Sequence, residues 1–190
     1  MSQTLTTSQG DVTIRPALPA DGAALRALRI EALERHPEAF AADLAASIAD
    51  PASVWEARVA QYADKEAGII SAAFAAGQAI GMLGLARSHW PKTGHGANFW
   101  GMYVNAGWRG LRVAEALIRE GCDWARAHGV IVAKLGVLTS NTPAIRCYVR
   151  CGFTVYGVDP QVIAYNGVFY DELLMVKNLV QDPALMPDPQ

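Results

Sequence analysis

The sequence predicts a mixed α/β domain in which helices cover a mostly antiparallel sheet. Three observations predict it. Val113 to His128 repeats its apolar residues with a helical period. Short apolar runs bounded by turn residues lie on both sides of it. The order is helices first, then a strand hairpin, then strand-helix-strand-helix-strand, which calls for a sheet with helices packed on it.

Taken from the start, residues 1–10 are polar and expected to be disordered. Val12 to Arg15 alternates and stops at Pro16, as a short strand does. Asp21 is placed to cap a helix reaching Arg35, with Leu25, Leu28 and Ala32 on one face. Glu38 to Ala49 is Ala-rich and fits more than one conformation. Asp50-Pro51 starts a further helix whose apolar face is Val54, Trp55, Val59 and Tyr62. Ile69–Phe74 and Ala79–Ala86 read as a hairpin turning at Gly77-Gln78, and Phe99–Val104 as the next strand.

In the helix Val113–His128, Ala114, Leu117, Ile118, Gly121 and Ala125 face inward, and Gly129 ends it. Ile131–Leu138 is apolar enough for a central strand. Thr142-Pro143 opens a short helix ending at Gly152. Thr154–Val158 and Val168–Val176 flank the turn at Asn166-Gly167 and close the sheet as a hairpin. Residues 11–180 therefore form one domain, followed by a flexible tail over 181–190.

Hydrophobic residues make up 52% of the 190, enough for a sizeable core, and the formal net charge is -2. That charge argues against a nucleic-acid coat and a polybasic membrane binder. No apolar run reaches the ~18 residues of a membrane span. Three cysteines, Cys122, Cys147 and Cys151, without a Cys-x-x-Cys pair, point to a soluble, reduced, cytoplasmic protein. Cys147 and Cys151 stand one helical turn apart. No further Cys or His follows at ligand spacing, so no metal is expected.

The chemistry is concentrated where strand Phe99–Val104 runs into Arg109-Gly110-Leu111-Arg112-Val113-Ala114 and a helix begins. A helix N-terminus presents unpaired N–H groups and partial positive charge, which suits an anion. Arg109 and Arg112 are unfavourably placed at that end unless an anion joins them. The alternative is Arg112 paired with Glu115 and Arg109 merely solvated.

Val104 to Ile118, VNAGWRGLRVAEALI, resembles the signature of the GNAT superfamily of N-acetyltransferases, Arg/Gln-x-x-Gly-x-Gly/Ala. Arg109 fills its first position and Ala114 its last. Arg112 stands where the middle glycine is usual. Asn141 to Phe153 resembles the family's second segment, Asn-x-x-Ala-x-x-x-Tyr-x-x-x-Gly-Phe, through Asn141, Ala144, Tyr148, Gly152 and Phe153. Weaker similarity begins near Ile14 and reaches Asp171-Glu172, so the resemblance covers roughly residues 12–179.

The resemblance implies a GNAT-like sheet with a splayed cleft between Met102–Val104 and Leu135–Leu138. It implies acetyl-CoA as cosubstrate and no metal. The pantetheine arm would run along Met102, Tyr103 and Val104, with the pyrophosphate on Arg109, Gly110, Leu111, Arg112, Val113 and Ala114. Asn141 would bond the arm or simply shape a turn. Tyr148 would protonate the leaving thiolate, its alternative being an aromatic on the helix's apolar face.

A free alkylammonium has a pKa of ~10.4 and must lose a proton before attack. The strand GANFWGMYV carries no carboxylate, so the base stays open among ordered water, Glu31, His95, Asp171 and Glu172. The first two helices, the loop Ser88–Gly96 and the last hairpin would enclose an amine, with Trp55, Trp90, Trp100, Tyr165 and Tyr170 at hand. The implied reaction is direct attack by a small amine, an amino acid or a peptide N-terminus in a ternary complex. The competing reading is an acyl-CoA-binding sensor without catalysis. No nucleic-acid or membrane partner is implied, and a homodimer stays open.

Overall fold

Eight strands form a single sheet in the computed structural model, which describes residues 2–63 and 66–180. They are β1 (Gln3–Thr7), β2 (Gly10–Pro16), β3 (Gly68–Ala75), β4 (Gln78–Arg87), β5 (Gly96–Val104), β6 (Val132–Leu138), β7 (Thr154–Tyr165) and β8 (Val168–Asn178). Their spatial order is β1-β2-β3-β4-β5-β6-β8-β7. Every neighbouring pair is antiparallel except β5 and β6, which run parallel. A parallel pair needs a crossover, and the long helix after β5 supplies it.

Two helical layers cover the sheet. Helices α1 (Gly22–Arg35), α2 (Leu44–Ala49) and α3 (Ala52–Ala63) belong to one face. There Leu25, Leu28, Trp55 and Val59 pack with Ile70, Met82 and Tyr103 of the strands. Helices α4 (Val113–Ala127) and α5 (Thr142–Arg150) lie on the other face. Leu117, Ile118 and Tyr148 pack there with Leu83, Phe99, Leu135, Val137 and Met175. Burying Leu117 and Ile118 fully contributes about 1.5–3 kcal/mol each. Helix α4 crosses β5 at Gly121, where a Cβ would come within 2.6 Å of the Phe99 ring. Glycine here sets the helix-to-sheet distance.

The structure corrects several expectations. Residues 1–10 are not disordered: Gln3–Thr7 pairs with β2 through Leu5↔Val12 and its neighbours. Its β-branched Thr residues and the alternating exposure around Leu5 suit a half-buried edge strand, which the polar composition hid. Asp21 does not cap α1 with its side chain. It accepts Arg15 Nη1 at 2.7 Å, Arg15 Nη2 at 2.9 Å and the Leu18 N–H at 2.7 Å. In the ambiguous Ala-rich stretch, Asp43 caps α2 by accepting the Ala46 N–H. On α4, Ala114 is only half-buried, and Val113, Ala116 and Cys122 join the inward face. Strand β7 continues past Val158 to Tyr165 because it stays paired with β8 as far as Tyr165↔Val168. The expected flexible tail, 181–190, lies outside the described residues.

Candidate active site

The sheet opens between β5 and β6. They pair only at Gly96↔Val132, Ala97↔Ala133 and Asn98↔Lys134. Beyond that point β5 stays on β4 as far as Val104↔Gly81, and β6 stays on β8 as far as Leu138↔Glu172. The two strands therefore diverge into a wedge, with Phe99–Val104 on one wall and Leu135–Leu138 on the other. A bulge accompanies the divergence. Met82 pairs with Tyr103 and Gly84 with Trp100, so Gly101 and Met102 together oppose Leu83. Gly101 has φ 63, and the extra residue bends β5. The backbone groups of Phe99–Val104 that face β6 thus lack a strand partner, and an extended ligand can pair with them.

The wide end of the wedge leads into the phosphate-type turn. Asn105 caps a short turn by accepting the Gly107 N–H at 3.0 Å, and its Nδ2 donates to Glu31 Oε1 at 2.8 Å. Gly110 has φ 79, and Arg112 has φ 63 and ψ 17. Two left-handed residues so close together turn successive N–H groups to one side, as in an anion nest. The first α4 backbone bond runs from the Ala116 N–H to Arg112 O, 3.1 Å. The N–H groups ahead of it are left for an outside acceptor. The usual glycine is therefore explained by the left-handed backbone, and Arg112 adopts that conformation despite its Cβ.

The two arginines of the turn separate in role. Arg109 folds back onto the strand end. Its Nε donates to Val104 O at 3.0 Å, its Nη2 lies 3.0 Å from His36 Nε2, and the guanidinium sits over the Tyr103 ring. Arg109 so braces the exit from β5. Arg112 is exposed and has no side-chain partner among the described residues. The expected alternative of an Arg112–Glu115 pair does not form, because Glu115 Oε1 accepts Arg150 Nη2 at 2.7 Å.

Each face of the sheet brings one ionisable group toward the wedge. Tyr148 comes from the α5 side, its ring edge-on to Phe153 at 6.0 Å. It is buried, and burial, then Cys147, Cys151 and Glu172, push its phenol well above the ordinary tyrosine value. Among the described residues its hydroxyl has no hydrogen-bond partner. Glu172 comes from the opposite face, since it pairs with Leu138 while Leu173 and Met175 point to the α4–α5 side. Its carboxylate covers Gly136, where a Cβ would collide with it. Burial and then Asp159 raise its pKa.

The remaining base candidates are committed elsewhere. Glu31 accepts Tyr103 Oη at 3.0 Å as well as Asn105, and it pairs with Arg35. Asp171 Oδ1 accepts the Gln161 N–H at 2.8 Å. His95 precedes β5 and its carbonyl accepts the Ile131 N–H, which places it at the closed end of the wedge. The loop Ser88–Gly96 and Trp90 share that end, so they do not border the opening. Asn141 uses its Oδ1 to cap α5 at the Ala144 N–H, 3.2 Å, which is the turn role.

On the α1–α3 face, a cavity of about 510 Å³ is lined by Trp55 and Trp100 among others. A second of about 310 Å³ lies between Leu33, Phe40 and the hairpin residues Val162–Tyr165. Ala42 and Asp43 line both. Of the expected aromatics, Trp55, Trp100 and Tyr165 are brought together around this face, while Tyr170 lines neither cavity.

A family profile for the acetyltransferase (GNAT) family matches residues 29–153, which contain β5, the turn, α4, β6 and α5. The chain belongs to the GNAT family. Among curated relatives, an L-amino acid N-acetyltransferase of Escherichia coli is 32% identical over 53% of this chain and 62% of its own length. A streptothricin acetyltransferase, also of Escherichia coli, is 39% identical over 27% of this chain and 29% of its own length. The chain thus spans less than two thirds of these curated relatives. Among solved structures, a GNAT acetyltransferase from Streptococcus pneumoniae superimposes with a TM-score of 0.78 and 25% identity, covering 88% of this chain and 98% of that one. A protein from Salmonella typhimurium, solved with its cofactor acetyl-CoA, shares the fold with a TM-score of 0.80 and 22% identity over 94% of this chain and 99% of its own.

The wedge and turn of this GNAT chain fit acetyl-CoA by their own chemistry, with strand-like backbone for an amide-bearing arm and a nest of N–H groups for a diphosphate. Sequence reasoning could not separate Glu172 from three other bases, because only strand register shows which side of the sheet it takes. It also gave no role to Arg29, which lines the larger cavity and stood out in the sequence only within the weak similarity from Leu28 to Leu33.

Proposed function

We propose that this chain is an acetyl-CoA-dependent N-acetyltransferase that acetylates a primary amine by direct attack in a ternary complex. One observation carries the reading: the wedge between β5 and β6 ends at the N–H nest and is approached by Tyr148 from one face and Glu172 from the other. The two substrates then enter from opposite sides and meet inside the sheet, without a covalent enzyme intermediate.

Gly110 to Ala114 would hold the diphosphate through backbone N–H groups, and Met102–Val104 the pantetheine arm. Glu172 would take a proton from the incoming ammonium, a role its raised pKa suits by making it a better base than an exposed carboxylate. The nitrogen then bonds to the acetyl carbon as the carbon–sulfur bond breaks. Tyr148 stays protonated because its folded pKa lies above the ordinary tyrosine value, so its hydroxyl is available to donate to the departing sulfur.

Thiol release from acetyl-CoA, followed across an amine panel, tests the reading. Amine-dependent release that falls in Tyr148→Phe at saturating substrates, with acetyl-CoA affinity nearly unchanged, is the expected result. Phe keeps the edge contact with Phe153, so the variant should melt like the parent. Tight acetyl-CoA binding without turnover on any amine would overturn the enzyme reading in favour of a sensor.

A further inference from the structure

The larger cavity is lined by two residues that carry hydrogen-bond donors unsatisfied among the described residues. Among the described residues Arg29 Nη1 and Trp100 Nε1 are both enclosed and without a hydrogen-bond partner, and both residues line the cavity. Arg29 lies over the Phe40 ring at 4.4 Å and has no ion pair among the described residues. Arg58, over the Trp55 ring at 4.7 Å, lines the same cavity and adds a second positive charge. The acids there do not neutralise them: Asp43 caps α2, and neither it nor Asp50 pairs with Arg29 or Arg58. Burial, with the Arg58 charge beside it, pulls the Arg29 guanidinium down to about 10. An unpaired cation this enclosed is costly unless an anion joins it.

The same donors border the reaction cleft. A Cβ on Gly101, the bulge residue of the wedge wall, would lie 4.0 Å from Arg29 Nη1. Trp100 is its neighbour on β5, laid flat where any side chain at Gly84 would collide with it. Two adjacent residues of β5 thus tie the cavity to the wedge. A planar guanidinium, a second cation and an indole N–H suit a carboxylate, whose two oxygens accept several donors at once. The apolar rings around them leave room for the rest of a small molecule, and about 510 Å³ is a small-ligand volume.

We infer that the acceptor is a primary amine that also carries a carboxylate, such as an α-amino acid, and that Arg29 is the residue selecting it, with Arg58 and Trp100 Nε1 assisting. This inference rests on the amine-acetylation reading above. It adds a charge requirement that amine chemistry alone does not impose.

The test compares each protein L-amino acid with its uncharged α-carboxamide in two assays, acetyl-CoA thiol release and calorimetric binding to the protein saturated with CoA. At least one amino acid should exceed its amide by about ten-fold or more in kcat/KM, the scale of a charge-assisted contact. Arg29→Gln should abolish that preference, mainly by raising KM for the acid. Arg58→Gln, in the same cavity, should reduce it and serves if Arg29→Gln fails to fold. Amides acetylated as fast as acids would overturn the inference and leave the amine reading standing. Acid-selective binding lost in Arg29→Gln, without turnover, would keep the inference and remove the enzyme reading. Neither turnover nor acid-selective binding would remove both.

Discussion

Replacing Arg112 by glycine separates two things this residue does. Its backbone, at φ 63 and ψ 17, is left-handed, which costs a residue with a Cβ about 1–2 kcal/mol. Its charge also stands at the positive end of α4, an unfavourable term of about 0.3–1 kcal/mol. Against these, glycine adds unfolded-chain entropy of about 0.4–1 kcal/mol. The balance is about 1 kcal/mol in favour of Arg112→Gly without cofactor, a rise of about 2–4 °C in melting temperature for a domain of this size.

The cofactor should reverse the sign. The exposed guanidinium has no side-chain partner among the described residues, and a diphosphate on the nest would give it one. Its loss should weaken acetyl-CoA binding by about 1.5–3 kcal/mol, roughly ten-fold or more. Thermal melting of the free protein and calorimetry with acetyl-CoA read the two halves. A lower melting temperature would refute the strain argument. An unchanged or tighter affinity would show that the diphosphate is held by backbone N–H groups alone.

Three further outcomes follow from the same geometry. Glu172→Gln should lower kcat/KM by about a hundred-fold and remove the rise in activity expected as pH climbs through the carboxyl's raised pKa; a pH profile with the parent's shape would exclude Glu172 as base. Leu117→Ala, at a fully buried position under β4 and β5, should cost about 2–5 kcal/mol, so calorimetric melting should fall by about 5–15 °C. The Arg15 hydrogen bonds hold Asp21 below the usual carboxylate range. Their stabilisation is present above the unfolded carboxyl's pKa of ~3.9 and is lost as pH falls through the lowered folded value. Melting curves between neutral pH and about pH 3 should therefore drop more steeply for the parent than for Asp21→Asn, by about 1–2 kcal/mol.

Much of the fold was legible because local patterns and tertiary demands agree. The period of α4, the proline-marked starts of α3 and α5 and the Asn166-Gly167 turn each specify their own element. Their order then leaves few ways to arrange the sheet. The edge strand β1 was missed because its pairing partner, not its composition, makes it ordered. Asp21 was assigned to cap α1, and its carboxylate instead holds the Arg15 guanidinium and the Leu18 N–H, while Arg109 donates to Val104 O and Asn141 takes the turn alternative at the Ala144 N–H.

Residue order by itself determined that a strand enters a glycine-bearing turn and a long amphipathic helix, and that a Tyr-bearing helix follows one strand later. Those are local facts, set by spacing along the chain. Tertiary structure alone decided that β5 and β6 part after three pairs, that Arg112 rather than Arg109 has no side-chain partner among the described residues, and that Glu172 lies over Gly136 and Arg29 beside Gly101. Those depend on register and packing between segments far apart in sequence. A one-residue shift of β8 on β6 would turn Glu172 to the other face of the sheet.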